Sequence, residues 1–229
     1  ETLGSVLHEI EIPMDMRDVV QEYREQMLES VAENDEILLF QYLEAEEISE
    51  AEIRAAIRRA TLKSNLVPVL SGASLKNKGI QPLLDTVIDY LPSPLDIPPV
   101  EGINPITEDI EQRFANDEEP FSALVFKIAT DVHMGKLAYF RVYSGSLSTG
   151  TMIYNSTKNL KERVGRIVQM HANKREERQC VYAGDIAAAI GLNGGSTGDT
   201  ICDLHYPIIL ESMVFPEPVM AIAIEPKTK

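Results

Sequence analysis

The chain has 229 residues, above the common size of one domain, so two compact units are expected. Its composition is 44% hydrophobic and 25% charged, and no uninterrupted apolar run approaches the length of a bilayer-crossing helix, which excludes a helical membrane protein. The net charge of −15 excludes a wholly basic nucleic-acid binder, and two cysteines, Cys180 and Cys202, are too few for a disulfide framework and fit a reducing cytoplasm.

The charge is uneven along the chain. Residues 1–64 hold 16 acidic and 6 basic side chains, whereas the window Lys158–Arg178 holds 7 bases against 3 acids. The first residues show no basic stretch followed by an apolar core, so no signal peptide is read there, and the chain is expected to be an internal piece of a larger protein.

Val6–Ile12 alternates and stops at Pro13, the pattern of a strand end. Asp15 reads as a helix N-cap, followed by Met16, Val19, Val20, Tyr23, Met27 and Val31 at helical spacing with Glu22, Glu25 and Glu29 on the wet side. Ile37–Leu43 suggests a second helix. Ser49 with Glu52 forms a capping box that opens a third through Ile53, Ala56, Ile57 and Ala60. Leu66–Leu70 is short and apolar, the pattern of a strand buried on both faces. After a loop, Ile80, Leu83, Leu84, Val87, Ile88 and Leu91 return to helical spacing, so 66–91 reads as a strand, loop and helix of α/β type.

Pro92, Pro94, Pro98 and Pro99 fix the backbone and remove amide donors, which marks a domain boundary. Beyond Glu119 the texture is β: Phe121–Ala129, Lys136–Tyr143, Thr151–Asn155, Arg163–Met170 and Asp185–Leu192, separated by turn residues, with Ser144-Gly145-Ser146 read as a hairpin turn. Short strands at this spacing predict a small antiparallel barrel or sandwich, and Val214–Ile224 predicts one more strand.

The loop Ser71–Gly79 lies beyond the carboxyl end of the predicted strand, where ligands meet open α/β sheets. On spacing alone an ordinary connection with two solvated lysines is the more frequent meaning of such a loop. No GxxxxGK[ST], DxxG or NKxD sequence occurs. His8, His133, His171, His205 and the cysteines lack close ligand spacing, so no metal site is expected, and no catalytic constellation is present. The window Lys158–Arg178 has the character of a phosphate-contacting surface, its interleaved glutamates suiting a structured RNA backbone.

Several strings together resemble bacterial elongation factor G: Val67–Gln81 (VPVLSGASLKNKGIQ), Asp89–Pro99 (DYLPSPLDIPP), Arg141–Gly145 (RVYSG), Met170–Glu177 (MHANKREE), Ala183–Ala187 (AGDIA) and Glu225–Lys229 (EPKTK). Tetracycline-resistance ribosomal-protection proteins and peptide chain release factor 3 share the superfamily, so a fragment of a ribosomal-protection or recycling paralogue is one alternative. An independent ligand-binding barrel protein is another. The resemblance implies an α+β chain in which 1–64 is a mostly helical, acidic insert of a GTPase domain and 65–92 that domain's last strand and helix. It further implies that 93–100 is a proline-rich linker, 101–205 an antiparallel β-barrel second domain and 206–229 the start of a third.

The parent implied by the resemblance is a cytoplasmic, ribosome-dependent GTPase that uses GTP with Mg²⁺ and promotes movement of tRNA and mRNA, with neither membrane nor DNA as a partner. Its fifth GTPase motif, usually Ser-Ala-x, falls on Ala73-Ser74-Leu75, so Gly72, Ala73, Ser74 and Leu75 are the implied guanine contacts. The order of Ala73 and Ser74 is swapped here, which moves the hydroxyl by one position and leaves backbone amides to meet the guanine carbonyl. The other nucleotide motifs are absent, so this chain by itself is expected not to hydrolyse GTP. Lys127, Arg141, Lys161, Arg163 and Arg166 are the expected contacts with small-subunit ribosomal RNA, and the acidic insert around Glu22–Glu52 the expected contact with the ribosomal stalk protein.

Overall fold

The structure is a computed structural model that describes residues 10–44, 46–131, 134–171 and 174–210. The predicted strands at Val6–Ile12 and Val214–Ile224 lie wholly or mostly outside the described residues, and residues 10–12 are not in a strand. The chain divides into two compact units, one through Asp96 and one from Ile97, a break that falls within the proline-rich stretch.

In the first unit a 3₁₀ turn, Met14–Met16, leads into α1 (Arg17–Ala32). Asp15 sits inside that turn and does not cap: Met16 holds the N-cap position, and no side chain accepts from the helix there. The α1 stripe is also less buried than its spacing predicts, because only Val31 and Ala32 enter the core, joined by Leu38, Ala56 and the partly buried Tyr42, Ile48, Ile57 and Leu66. Val19, Tyr23 and Met27 are exposed.

Helix α2 (Glu36–Leu43) is capped by Asp35, whose carboxylate accepts from the Leu38 amide at 3.1 Å and from Arg59 Nε at 2.5 Å. The Arg59 hydrogen bond is the main cause that holds the Asp35 carboxyl below the usual range, against the opposing effect of burial. A carboxylate with a lowered folded pKa stabilises fully above its unfolded pKa of about 3.9 and loses that contribution as pH falls through the folded value. Asp35→Ala is therefore expected to cost about 1–2 kcal/mol at neutral pH and to flatten the acid limb of stability below about pH 4, read by urea melts of the 222 nm helix signal.

Helix α3 (Glu50–Leu62) opens on the capping box expected: the Glu52 amide donates to Ser49 Oγ at 3.3 Å, and the Ser49 amide to Glu52 Oε2 at 2.8 Å. Helix α4 (Ile80–Tyr90) is fastened to α3 by Arg58, which donates to the Asp89 carbonyl at 2.9 Å and to the Asp96 carboxylate at 2.7 Å, satisfying an acceptor at the α4 C-terminus. Arg54 adds an ion pair to Asp89 at 2.9 Å.

The predicted buried strand Leu66–Leu70 is not one. The segment belongs to no sheet, and Val67 and Val69 are 79% and 90% exposed. A strand exists only by hydrogen bonding to a neighbour, and among the described residues none lies alongside it.

The second unit contains β1 (Val100–Ile103), β2 (Ile110–Arg113), β3 (Ser122–Asp131), β4 (Gly135–Ser144), β5 (Leu147–Ser148), β6 (Met152–Asn155) and β7 (Leu160–Arg163). These are followed by β8 (Arg166–His171), β9 (Lys174–Arg178), β10 (Cys180–Val181), β11 (Ile186–Ile190), β12 (Thr200–Cys202) and β13 (Ile209–Leu210). Eight of them form one antiparallel sheet in the order β7-β6-β12-β3-β4-β11-β8-β9, with small sheets β13-β1-β2 and β10-β5 beside it. The inward residues make one core around Phe140, Val125, Val142, Ile153, Ile167 and Ile201. A second cluster, Cys202, Ile208 and Leu210 with the partly buried Val100, Leu124, Tyr143 and Tyr154, forms where β13 returns to β1, so packing of this unit continues past residue 205.

The predicted antiparallel barrel is open in its hydrogen-bond ladder: among the described residues β7 and β9 stand at opposite ends and do not pair. The chain itself bridges the gap. The expected single strand Arg163–Met170 is split, since the Val164 amide donates to Thr151, continuing the β6 side, while the next amide, Gly165, donates to Ile190 on the β11 side. Successive amides thus bond the β6 side and the β11 side of the sheet, which requires the sheet to curl around its core. A Cβ at Gly165 would lie 2.9 Å from the Ile190 carbonyl oxygen, so glycine permits the close approach at this switch. Ser144-Gly145-Ser146 is a turn but joins no hairpin, because β5 beyond it pairs with β10 and not with β4.

Candidate functional site

The loop Ser71–Gly79 closes on itself. The Ala73 amide donates to the Lys78 carbonyl at 2.9 Å and the Lys78 amide returns to Ala73 at 3.1 Å. Between them Ser74–Lys76 forms one 3₁₀ turn, ended by Asn77 at φ 51°, and Gly79 at φ 76° opens α4. The four predicted guanine contacts are therefore unequal. The Ala73 donor is used inside the loop, whereas the amides of Ser74 and Leu75, at the start of the turn, have no protein acceptor among the described residues. Leu75 is 98% exposed and Gly72 is exposed. The donors available fit a single carbonyl-type acceptor, and nothing in the loop supplies a phosphate cradle.

The five predicted RNA-contacting cations all lie on the outer face of the sheet, but not in one patch. Lys161 and Arg163 sit on the end strand β7, opposite Tyr154 and Met152, and Arg163 Nε donates to the Gly150 carbonyl at 2.9 Å. Arg166, on β8, pairs with Glu177 at 3.2 Å. Lys127 and Arg141 lie together on the central pair β3–β4, Lys127 opposite Tyr139 and Arg141 opposite Leu124. Lys127 Nζ stands 5.8 Å from the Tyr139 ring centre, and the Arg141 guanidinium 5.6 Å from that of Tyr143.

The basic window Lys158–Arg178 is partly neutralised by acidic partners. Arg175 pairs with Asp131 at 2.6 Å, Arg178 with Glu176 at 3.2 Å, and Lys158 with the buried Asp199 at 3.2 Å. Sequence reasoning missed Asp199, which also accepts from Asn155 Nδ2 and the Ser196 amide, both at 2.8 Å, while Lys158 donates to the Gly194 carbonyl and to Ser196 Oγ. No local signal distinguishes that carboxylate, since its partners come from β6 and from loops on either side. Among the described residues no group of three or more His, Cys, Asp or Glu side chains is placed to hold a metal ion, and no helix is long and apolar enough to cross a membrane.

Residues 120–204 match the family model for elongation factor G domain 2. They are a domain 2 of the elongation factor G type. This segment holds most of the large sheet and its core. A crystal structure of a protein from Thermus thermophilus aligns at a TM-score of 0.68 and 26% identity over 92% of this chain, so the likeness extends beyond domain 2 into the helical unit. The chain spans 29% of the length of that protein. The α+β class and the type of translation-factor domain expected from the sequence both hold, and the barrel's ladder is not closed among the described residues.

Proposed function

We propose that this chain is a ribosome-docking part of a GTPase of the elongation factor G type that promotes movement of tRNA and mRNA. Domain 2 contacts small-subunit ribosomal RNA through outer-face cations among Lys127, Arg141, Lys161, Arg163 and Arg166. The acidic helical unit meets the stalk protein, and within Gly72–Leu75 the amides of Ser74 and Leu75 are presented to guanine in the presence of the remaining nucleotide motifs. The observation that carries this reading is the domain 2 match over 120–204. It is supported by the placement of all five cations on the outer face, away from the core.

Two measurements test it. Co-sedimentation of the chain with small ribosomal subunits is expected to be lost steeply as salt rises, because phosphate contacts release counterions; binding indifferent to salt, or none at all, would count against the reading. Isothermal titration with GTP and Mg²⁺ is expected to show no tight binding to this chain, because phosphoryl-group recognition is mostly positioning and charge and the sequence has no phosphate loop. An affinity of about 1 μM, near 8 kcal/mol of binding free energy, would show a nucleotide site that the loop Ser71–Gly79 does not account for.

A further inference from the structure

The hairpin of β1 and β2 precedes the segment that matches the domain 2 model, and its two faces differ. Gly102 is buried, and a Cβ there would lie 2.6 Å from the Ile208 side chain, so this row faces inward. Alternation then turns Glu101 and Ile103 outward, opposite Gln112 and Ile110. Ile103 and Ile110 are 52% and 73% exposed, and the turn joining their strands carries Ile106, 77% exposed. A single exposed isoleucine is ordinary; three on one short hairpin mark a contact surface.

The tip is held in one shape in the free chain. Asn104 Oδ1 accepts from the Ile106 amide at 2.9 Å, and Asn104 Nδ2 donates to Glu111 Oε1 at 2.7 Å. Glu111 in turn pairs with the buried Arg113 at 2.8 Å. The backbone of Asn104 is engaged as well, its carbonyl by the Glu108 amide and its amide by the Asp109 carbonyl, both at 2.9 Å. Apolar groups on a fixed turn lose little conformational freedom on docking, so more of their burial emerges as affinity.

Charge selects the occupant. Glu101, Glu108 and Asp109 are exposed and have no cationic partner among the described residues, and the hairpin's one cation, Arg113, is buried and already paired. RNA phosphates, anionic lipid and a second copy of the same tip are all repelled by that rim. We infer that the β1–β2 tip docks on a basic protein surface, where Ile103, Ile106 and Ile110 fill an aliphatic pocket and Glu108 and Asp109 meet lysines or arginines around it. This rests on the ribosome-docking reading above and adds a contact with a basic protein of the small subunit, separate from the cations of the large sheet.

The test titrates the full chain with purified small ribosomal subunits at about 100 mM KCl. Ile106→Ser/Ile110→Ser is expected to weaken binding about tenfold. Glu108→Lys/Asp109→Lys is expected to weaken it about fivefold, whereas a tip that faced RNA would bind more tightly with the added lysines. All four side chains are exposed, so both variants keep the fold, checked by an unchanged urea midpoint. Ile106→p-benzoylphenylalanine, irradiated on the subunit, is expected to give an adduct that protease destroys and ribonuclease leaves, joined to a protein rich in lysine and arginine. Unchanged affinity of the isoleucine pair, tighter binding of the lysine pair, a ribonuclease-sensitive adduct or an adduct between two copies of the chain overturns the tip contact while leaving ribosome docking in place. Absence of wild-type binding to the subunits overturns both.

Discussion

Phe140→Ala is expected to lower the stability of domain 2 by about 3–5 kcal/mol, the largest effect of any single truncation among the described residues. Phe140 is 0% exposed and is the largest fully buried side chain among the described residues. Its strand, β4, pairs with both β3 and β11, and its ring shares a core with residues from strands across the sheet, from Ile153 on β6 to Ile167 on β8. A void there cannot be filled by one neighbour moving, because the surrounding side chains are set by ladders on both sides. Since a domain of this size has about 5–15 kcal/mol in total, the variant is expected to populate unfolded chains at 37 °C. Chemical denaturation followed by near-ultraviolet circular dichroism checks it; a loss under about 1 kcal/mol would mean the site collapses far more readily than its packing indicates.

Gly145→Ala is expected to cost about 3 kcal/mol or more, although it adds one methyl group. Gly145 has φ 68°, in the left-handed region, and an ideal Cβ there would sit 2.4 Å from the Glu119 carbonyl oxygen and 2.7 Å from the Phe121 nitrogen. Both obstacles are backbone, so no rotamer change relieves them, and the strain of the torsion adds to the overlap. The same turn gives the Gly145 amide to the Asn116 carbonyl at 2.8 Å, tying the connection between β2 and β3 to the end of β4. Alanine must either break that tie or displace the segment before Phe121. The measurement is the same denaturation, with Gly135→Ala as the comparison: Gly135 also has positive φ, but its Cβ would meet nothing within 4 Å. A smaller loss at Gly135 by about 1–2 kcal/mol separates the clash from the torsion.

Much of the candidate site was legible as location and little of it as state. The loop Ser71–Gly79 is marked by its small residues before a helical repeat, but its sequence does not say that the Ala73 amide is consumed by Lys78, because that bond depends on the path of the turn between them. The alternation of Tyr139, Arg141 and Tyr143 is readable as one face of a strand. The rings beneath the cations follow from that face and from β3 lying alongside. The neutralised charges of the window Lys158–Arg178 were not readable, since Asp131 and Asp199 reach it from distant segments.

The sequence by itself determined the elements whose signals are local: the capping box at Ser49 and Glu52, the helical repeats of α1, α3 and α4, the proline stretch between units, and the alternation of β3, β4 and β11. Each is decided within a few residues by dihedral preference, capping or side-chain period. Tertiary structure alone decided whether Leu66–Leu70 is a strand, where the curled sheet passes its chain across at Val164–Gly165, and that a β-bulge at Phe126 turns Lys127 outward. All three are matters of pairing. A strand's partner and register come from residues far away in the chain, and a slip of one position exchanges core for surface.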